Sequence, residues 1–296
     1  MADEQTKIEA IKGFDANLQC RNFQFEIGKT YTQDGEIVLC ENGFHAIEGR
    51  PLDVFNYYAA AGSRFAIVEC SGDIARGPPP ESKIASATIT IKAELHLHDL
   101  IQRTVEWVIA RAKPENGASA TGFHGAASAT GYEGAASATG YEGAASATGY
   151  QGAASATGGQ GAASATGDHG AASATGGHGA ASATGDHGAA SATGHRGAAS
   201  ATGDHGAASA TGGHGVASAT GYQGAASATG ASSTAMASGS RGSVSGEKGC
   251  ALFLVNRNPE TGIIHHAWAG IVGRNGIKPN TFYTLDDKGT PKEAKA

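Results

Sequence analysis

Between Gly125 and Gly230 one seven-residue string, Gly-Ala-Ala-Ser-Ala-Thr-Gly, recurs with a variable pair of residues after each copy. Copies begin at Gly125, Gly134 and so on to Gly224, always nine residues apart, and Val216 is the one change inside the string. A shortened copy, Gly117 to Gly122, precedes the array, and a degraded one, Ala235 to Gly239, follows it. A fixed short period requires a stacked, quasi-one-dimensional architecture in which each unit buries its face against its neighbours. Nine residues are too few to close a coil. The variable pairs give the true period: Asp168-His169, Asp186-His187 and Asp204-His205 are separated by eighteen residues, with Gly177-His178 and His195-Arg196 in the places between. Like therefore stacks on like every second copy. The expected fold is mainly β, a flattened two-sided solenoid whose eighteen-residue coil holds two strands and two turns, so that Thr130 lies beside Thr148.

Side chains alternate across a strand. With Ala127 and Ala129 inward, Ala126, Ser128 and Thr130 point outward, and the interior is lined by methyl groups alone. The outward grid then includes Ser155, Thr157, Ser164, Thr166, Ser173 and Thr175. A bundle of polyproline-II helices would also place small residues at every third position, but it does not account for the eighteen-residue alternation. The Asp-bearing glycine nonapeptide that winds calcium-binding rolls is absent from these strands.

The net charge of -6 is spread unevenly: -5 over residues 1–116, -3 over 117–246 and +2 over 247–296. No segment is basic enough to neutralise a phosphate backbone, which excludes nucleic acid as the expected partner. The first residues lack a basic and then apolar leader, and no apolar run reaches membrane-spanning length. The expectation is a cytoplasmic or virion-associated protein with no membrane contact and free thiols at Cys20, Cys40, Cys70 and Cys250.

Three regions follow. Residues 1–116 read as a small α/β domain ending in a capping helix. Ile8 to Phe14, Phe23 to Ile27, Ile37 to Cys40, Phe65 to Cys70 and Ile89 to Leu97 have strand patterns. Pro51 starts a helix that carries Leu52, Phe55 and Tyr58 and ends at Gly62. Gly77 to Pro80 is a loop. Asp99 caps a second helix, with Ile101, Val105, Val108, Ile109 and Ala112 on one face and Pro114 beyond its end. Residues 117–246 are the solenoid. Residues 247–296 form a β cap, with strands at Ala251 to Val255, Ile263 to Val272 and Thr281 to Leu285, and a frayed charged tail.

The runs Cys20-Arg-Asn-Phe-Gln-Phe-Glu, Cys40-Glu-Asn-Gly-Phe-His45 and Pro51-Leu-Asp-Val-Phe-Asn-Tyr-Tyr58 carry a resemblance. They resemble an N-terminal domain of uncharacterised bacterial and phage proteins that precedes a low-complexity repeat array. The resemblance implies architecture and a phage or prophage context, and no catalytic residues.

Candidate sites are few. Cys20, Cys40 and His45 could supply three zinc ligands, but no fourth is evident. A Cys40–His45 nucleophile pair would require a cleft holding both. Otherwise they are a buried thiol and an imidazole bonded to backbone. His96, His98, His265 and His266 read as solvated or satisfied. Phe123, Tyr132, Tyr141, Tyr150 and Tyr222 sit toward the ends of the array, placed to seal it against its caps. The turn ladder Asp168, His169, Asp186, His187, Asp204 and His205 is the strongest candidate, a docking or self-association edge that titrates near neutrality. The reading is a non-enzymatic scaffold that needs no metal or cofactor and engages a protein partner or itself. Ice binding through the Ser-x-Thr grid, and an enzyme or zinc site in the first 112 residues, are the alternatives.

Overall fold

The computed structural model describes residues 7–78, 81–111, 117–230 and 232–294. Pro79, Pro80, Ala112 and Pro114, named above in a loop and at a helix end, lie outside them. The chain divides into two compact units between Leu100 and Ile101.

The first unit is built on β1 (Ile8–Phe14), a two-residue hairpin β2 (Gln19–Cys20) with β3 (Phe23–Gln24), β4 (Thr30–Thr32), β5 (Phe44–Ile47), β6 (Arg64–Arg76) and β7 (Lys83–Leu95). β1 pairs with β5 and β6, and β7 pairs with β4, β5 and β6, so the sheet closes on itself. Register shifts at Ile67/Val68 and Ser71/Ile74 bend the long β6–β7 ribbon, as closure of a small sheet requires. Phe14, Phe25, Val68, Ile84, Ile89 and Ile91 fill the interior.

Three local expectations are corrected. Ile37 to Cys40 is not a strand: Val38 bridges Asn42 through a tight turn, and Cys40 adopts a φ of 70°. Phe23 to Ile27 does not continue as one strand either. Arg21 and Asn22, both at positive φ, turn the chain into the short hairpin, which buries Phe25 and exposes Phe23 and Ile27. The segment after Arg50 is a single 3-10 helix, Pro51–Asn56, with Pro in its first turn and i→i+3 bonds such as Tyr57 N–H to Val54 O.

The helix α1 (Leu97–Arg111) straddles the unit boundary. Asp99 stands three residues inside its start, where its carboxylate accepts the His96 N–H at 3.1 Å. That is the back-bonding half of a capping box and not the N-cap position.

The second unit is the solenoid. Strands alternate between two sheets, and within the array each pairs in parallel with the strand eighteen residues away: Thr130 lies opposite Thr148, and Ala136 opposite Ala154. One sheet contains the strands from Gly117, Ala135, Ala153 and onward to Ser243; the other contains those from Ala126, Ala144, Ala162 and onward to Ala251. The ladder continues through the turns, where His187 N–H reaches Asp168 O at 2.7 Å. Ala154, Ala156, Ala163, Ala165, Ala172 and Ala174 are all buried between the sheets. Gly194 shows why the turn needs glycine: it has a φ of 150°, and a Cβ there would stand 1.5 Å from Gly176 O of the preceding coil.

Beyond the array the same winding continues with larger interior residues. Val244, Leu252, Leu254, Cys250 and Tyr283 replace alanine and complete the core at the C-terminal end. Asn258 and Asn275-Gly276 turn the cap strands, with the Asn258 side chain accepting the Glu260 and Thr261 N–H groups. The tail is not frayed throughout: Pro291–Glu293 pairs with Tyr283–Leu285, held by residues 286–290, where Asp286 accepts the Lys288 and Thr290 N–H groups.

Within this unit α1 lies along the outer face of the first sheet. Val108 packs on the outward Ala135 and Ala153, with Trp107 and Ile109 beside it, and Ser173 Oγ donates to Gln102 Oε1 at 2.7 Å. The helix thus crosses three successive strands side-on. We call this the covered sheet and its counterpart the open sheet.

Candidate functional site

The two faces have the same sequence and different surroundings. On the covered sheet the outward Ala153, Ala171, Ala189 and Ala207 and Ser173, Ser191 and Ser209 are buried. On the open sheet Ala126, Ala144, Ala162, Ala180 and Ala198 are exposed. The expected grid divides accordingly: Ser164 and Thr166 are exposed, Ser155 is half-buried with Thr157 exposed, and Ser173 is buried with Thr175 exposed. The outward face of the open sheet changes character toward its C-terminal end. Val216, Met236, Phe253 and Ile271 are all exposed there, and pairing places their strands side by side. A shallow trough of about 810 Å³ runs along the Ala and Ser rows up to Val216 and Ser218.

The turns form two edges. Asp168, Asp186 and Asp204 are exposed on one, in register, and Asp204 Oδ1 accepts the Tyr222 N–H at 3.1 Å. Their neighbouring histidines stack: His169 on His187 at 5.0 Å and His187 on His205 at 5.3 Å, with nearly parallel rings. Tyr132 stacks on Tyr150, Tyr150 meets His169, His205 meets Tyr222, and Arg241 lies over the Tyr222 ring and donates to its hydroxyl. One ring column therefore runs from Tyr132 to Tyr222. The expectation that the aromatics seal the ends is corrected. Phe123, Tyr132, Tyr141 and Tyr150 are exposed, and they stack coil on coil because turn side chains point away from the alanine interior. On the other edge His124 Nδ1 pairs with Glu142 at 2.7 Å.

The first unit contains a cavity of about 470 Å³, and Cys20, Cys40 and His45 all line it. The cleft that the enzyme alternative needs is present, and among the described residues no hydrogen bond joins the Cys40 thiol to His45. His45 Nε2 accepts the backbone N–H of Cys40 at 2.9 Å, so its lone pair faces backbone and not thiol. Burial first, and then the positive charges of Lys12, Arg21 and Lys83, push the His45 pKa down to about 4. Among the described residues no group of three His, Cys, Asp or Glu side chains is placed to hold a metal ion. Cys20 Sγ lies 3.1 Å from the Tyr58 hydroxyl.

The residue that sequence reasoning missed here is Lys12. It is buried, and its ammonium donates to His45 O at 2.7 Å and lies 5.1 Å from the Phe25 ring centroid. Burial pushes its pKa down. The signal was present: on β1, Lys12 shares a face with Ala10 and Phe14, both core residues. His96 and His265 are exposed, as solvated histidines are. No helix among the described residues is long and apolar enough to cross a membrane.

Residues 8–103 match a family described as a domain of unknown function (DUF7666). No curated protein and no solved structure matches the chain.

Proposed function

We propose that this protein is a non-enzymatic scaffold whose solenoid is a rigid rod that docks a protein partner, or a second copy, on its open sheet. One observation carries the reading. Two faces of the same repeated sequence are present; the chain's own helix occupies one through Val108 on alanine, and the other is bare and ends in the exposed Val216, Met236, Phe253 and Ile271, with Met236 and Phe253 directly paired. Contiguous exposed apolar surface at the end of a flat, regular face marks an interaction site. Flatness favours a partner with its own regular surface, because every outward side chain from Ala126 to Ser200 on this sheet is small. The structure that binds is also the one that keeps the protein rigid.

The test is sedimentation of the full chain across a concentration series, alongside Met236→Lys with Phe253→Lys. Both positions are exposed, so the double variant folds. The reading expects wild-type self-association, or capture of a defined partner from host lysate, and its loss in the variant. Identical sedimentation and identical capture for both proteins would refute it.

A second reading, ice binding, is supported by the exposed threonine column Thr130, Thr148, Thr166, Thr184 and Thr202 on the open sheet. Inhibition of ice recrystallisation by the wild type, abolished by Thr166→Lys, would replace docking as the role of this face.

A further inference from the structure

The cavity in the first unit is independent of the solenoid reading, and it has a charge pattern that calls for a ligand. Three cations line it: Lys12, Arg21 and Lys83. Among the described residues none of the three forms an ion pair with a carboxylate. The one carboxylate in the lining, Asp15, already accepts the backbone N–H groups of Asn17 and Gln19, both at 2.8 Å. Glu81 accepts the Tyr57 hydroxyl at 2.6 Å and the Lys83 N–H, and does not line the cavity. Lys12 is the decisive group. A buried ammonium is strongly disfavoured unless it is paired, and the partners of Lys12 are the His45 carbonyl and the Cys20 sulfur, with no carboxylate among them. An ammonium has three donors.

The backbone around the cavity is also held in an uncommon state. Arg21, Asn22 and Cys40 all line it, and all adopt left-handed φ values of 50°, 63° and 70°. Arg21 Nη1 donates to Cys40 O at 3.0 Å and ties the two turns together. Non-glycine residues persist at such angles when the surrounding structure determines them, and they gather at ligand clamps. The low pKa of His45 reports the same positive field, since after burial its causes are Lys12, Arg21 and Lys83. The volume of about 470 Å³ is typical of a small-molecule site and equals that of roughly fifteen waters.

We infer that this cavity binds a small organic anion, with its carboxylate or phosphate group against Lys12 and Arg21 and its body among Tyr58, Ile11 and Ile47. Tyr58 is positioned for this by Gly13, because a Cβ there would stand 2.4 Å from the Tyr58 ring.

The experiment is titration calorimetry on the full chain at matched ionic strength, with inorganic phosphate, benzoate and benzamide as probes. The two anions separate phosphate-bearing from carboxylate-bearing ligands, and benzamide is the neutral counterpart of benzoate. The expected result is saturable binding of at least one anion and none of benzamide. Lys12→Met should weaken that binding by about tenfold or more, the loss of a charge-assisted contact. Arg21→Gln, at an exposed rim position, should weaken it as well, and keeps the test valid if the Lys12 variant fails to fold. Binding of phosphate alone, benzoate alone or both supports the site and sorts its ligand class. Binding of neither anion, equal binding of benzamide, or affinity unchanged in Arg21→Gln overturns it.

Discussion

Three alanine-to-leucine substitutions, chemically identical, should have three different consequences. Ala163 faces the interior at 3% exposure. Its strand is fixed on both sides by the ladder, with Ala162 N–H to Gly143 O and Ala180 N–H to Gly161 O both at 2.8 Å. Leucine adds three carbons where the opposing wall is also methyl groups on a hydrogen-bonded sheet. Neither wall can retreat without lengthening those bonds, so Ala163→Leu should lose about 3 kcal/mol, the upper part of the usual overpacking range. Ala162 is one residue away on the open face and exposed. Ala162→Leu should change stability by no more than about 0.5 kcal/mol. Ala153 is outward but buried beneath Val108. Ala153→Leu should lose about 1–2 kcal/mol, because the added carbons displace a helix and not a sheet. Urea titrations followed by far-ultraviolet circular dichroism give the three midpoints, read at unchanged slope. Equal midpoints for Ala162→Leu and Ala163→Leu would show that the assignment of faces is wrong. An Ala153→Leu midpoint matching that of Ala162→Leu would show that the helix does not occupy its sheet.

Other outcomes follow from the same geometry. Gly194→Ala puts a Cβ on Gly176 O and should lose at least about 2 kcal/mol, whereas Gly177→Ala, whose nearest neighbour would stand at 3.5 Å, should be nearly neutral in the same titration. His45 has a folded pKa of about 4 against an ordinary value of 6.5, so its contribution to stability is complete above pH 6.5 and is lost as pH falls toward 4. The full shift corresponds to about 3 kcal/mol, reduced by solvent screening of this half-buried ring to about 1–2 kcal/mol. His45→Gln should flatten the dependence of the urea midpoint across that window, and an unchanged slope would refute the assignment. On the edge, stacked imidazoles 5.0 Å apart repel once protonated. Replacing Asp168, Asp186 and Asp204 by Gly and His169, His187 and His205 by Gln should remove any change in sedimentation between about pH 8 and pH 5; a pH-dependent change that survives means the ladder is a solvated turn.

The coil was legible because the variable pairs carry a period of eighteen that the conserved string conceals. Asp-His recurs at 168, 186 and 204 and nowhere between. Alternation then determined which alanines are inside. What the sequence could not distinguish is one face from the other. The strands Ala153–Thr157 and Ala162–Thr166 are identical, and only a helix some fifty residues earlier makes one of them a buried surface. Local chemistry contains no trace of a long-range contact between a valine and an alanine. In the first unit the strand propensity of Ile37 to Cys40 lost to a turn that places Cys40 against His45 and Arg21. Residue type groups Cys20, Cys40 and His45, and they share a cavity, but the imidazole of His45 is turned onto the Cys40 backbone N–H. Lysine reads as solvent-facing by type, but the phase of Lys12 with Ala10 and Phe14 puts it inside. The strand Pro291–Glu293 was hidden by its charge and depends on the Asp286 turn for its position.

Two faces of one repeated sequence have different fates, one covered by the chain and the other exposed, and the exposed one is proposed to dock a partner. Thiol labelling tests it directly. In a background with Cys20→Ser and Cys40→Ser, which leaves the buried Cys70 and Cys250, a single Ser164→Cys or Ser173→Cys is introduced and its modification rate measured. Ser164 is exposed on the open sheet; Ser173 is 4% exposed and bonded to Gln102. Ser164→Cys should react at the rate of a free thiol in dilute solution and become protected when the protein self-associates or its partner is added, with Ser173→Cys slow throughout. Equal rates at the two positions, or a Ser164→Cys rate that no concentration or partner changes, would contradict it.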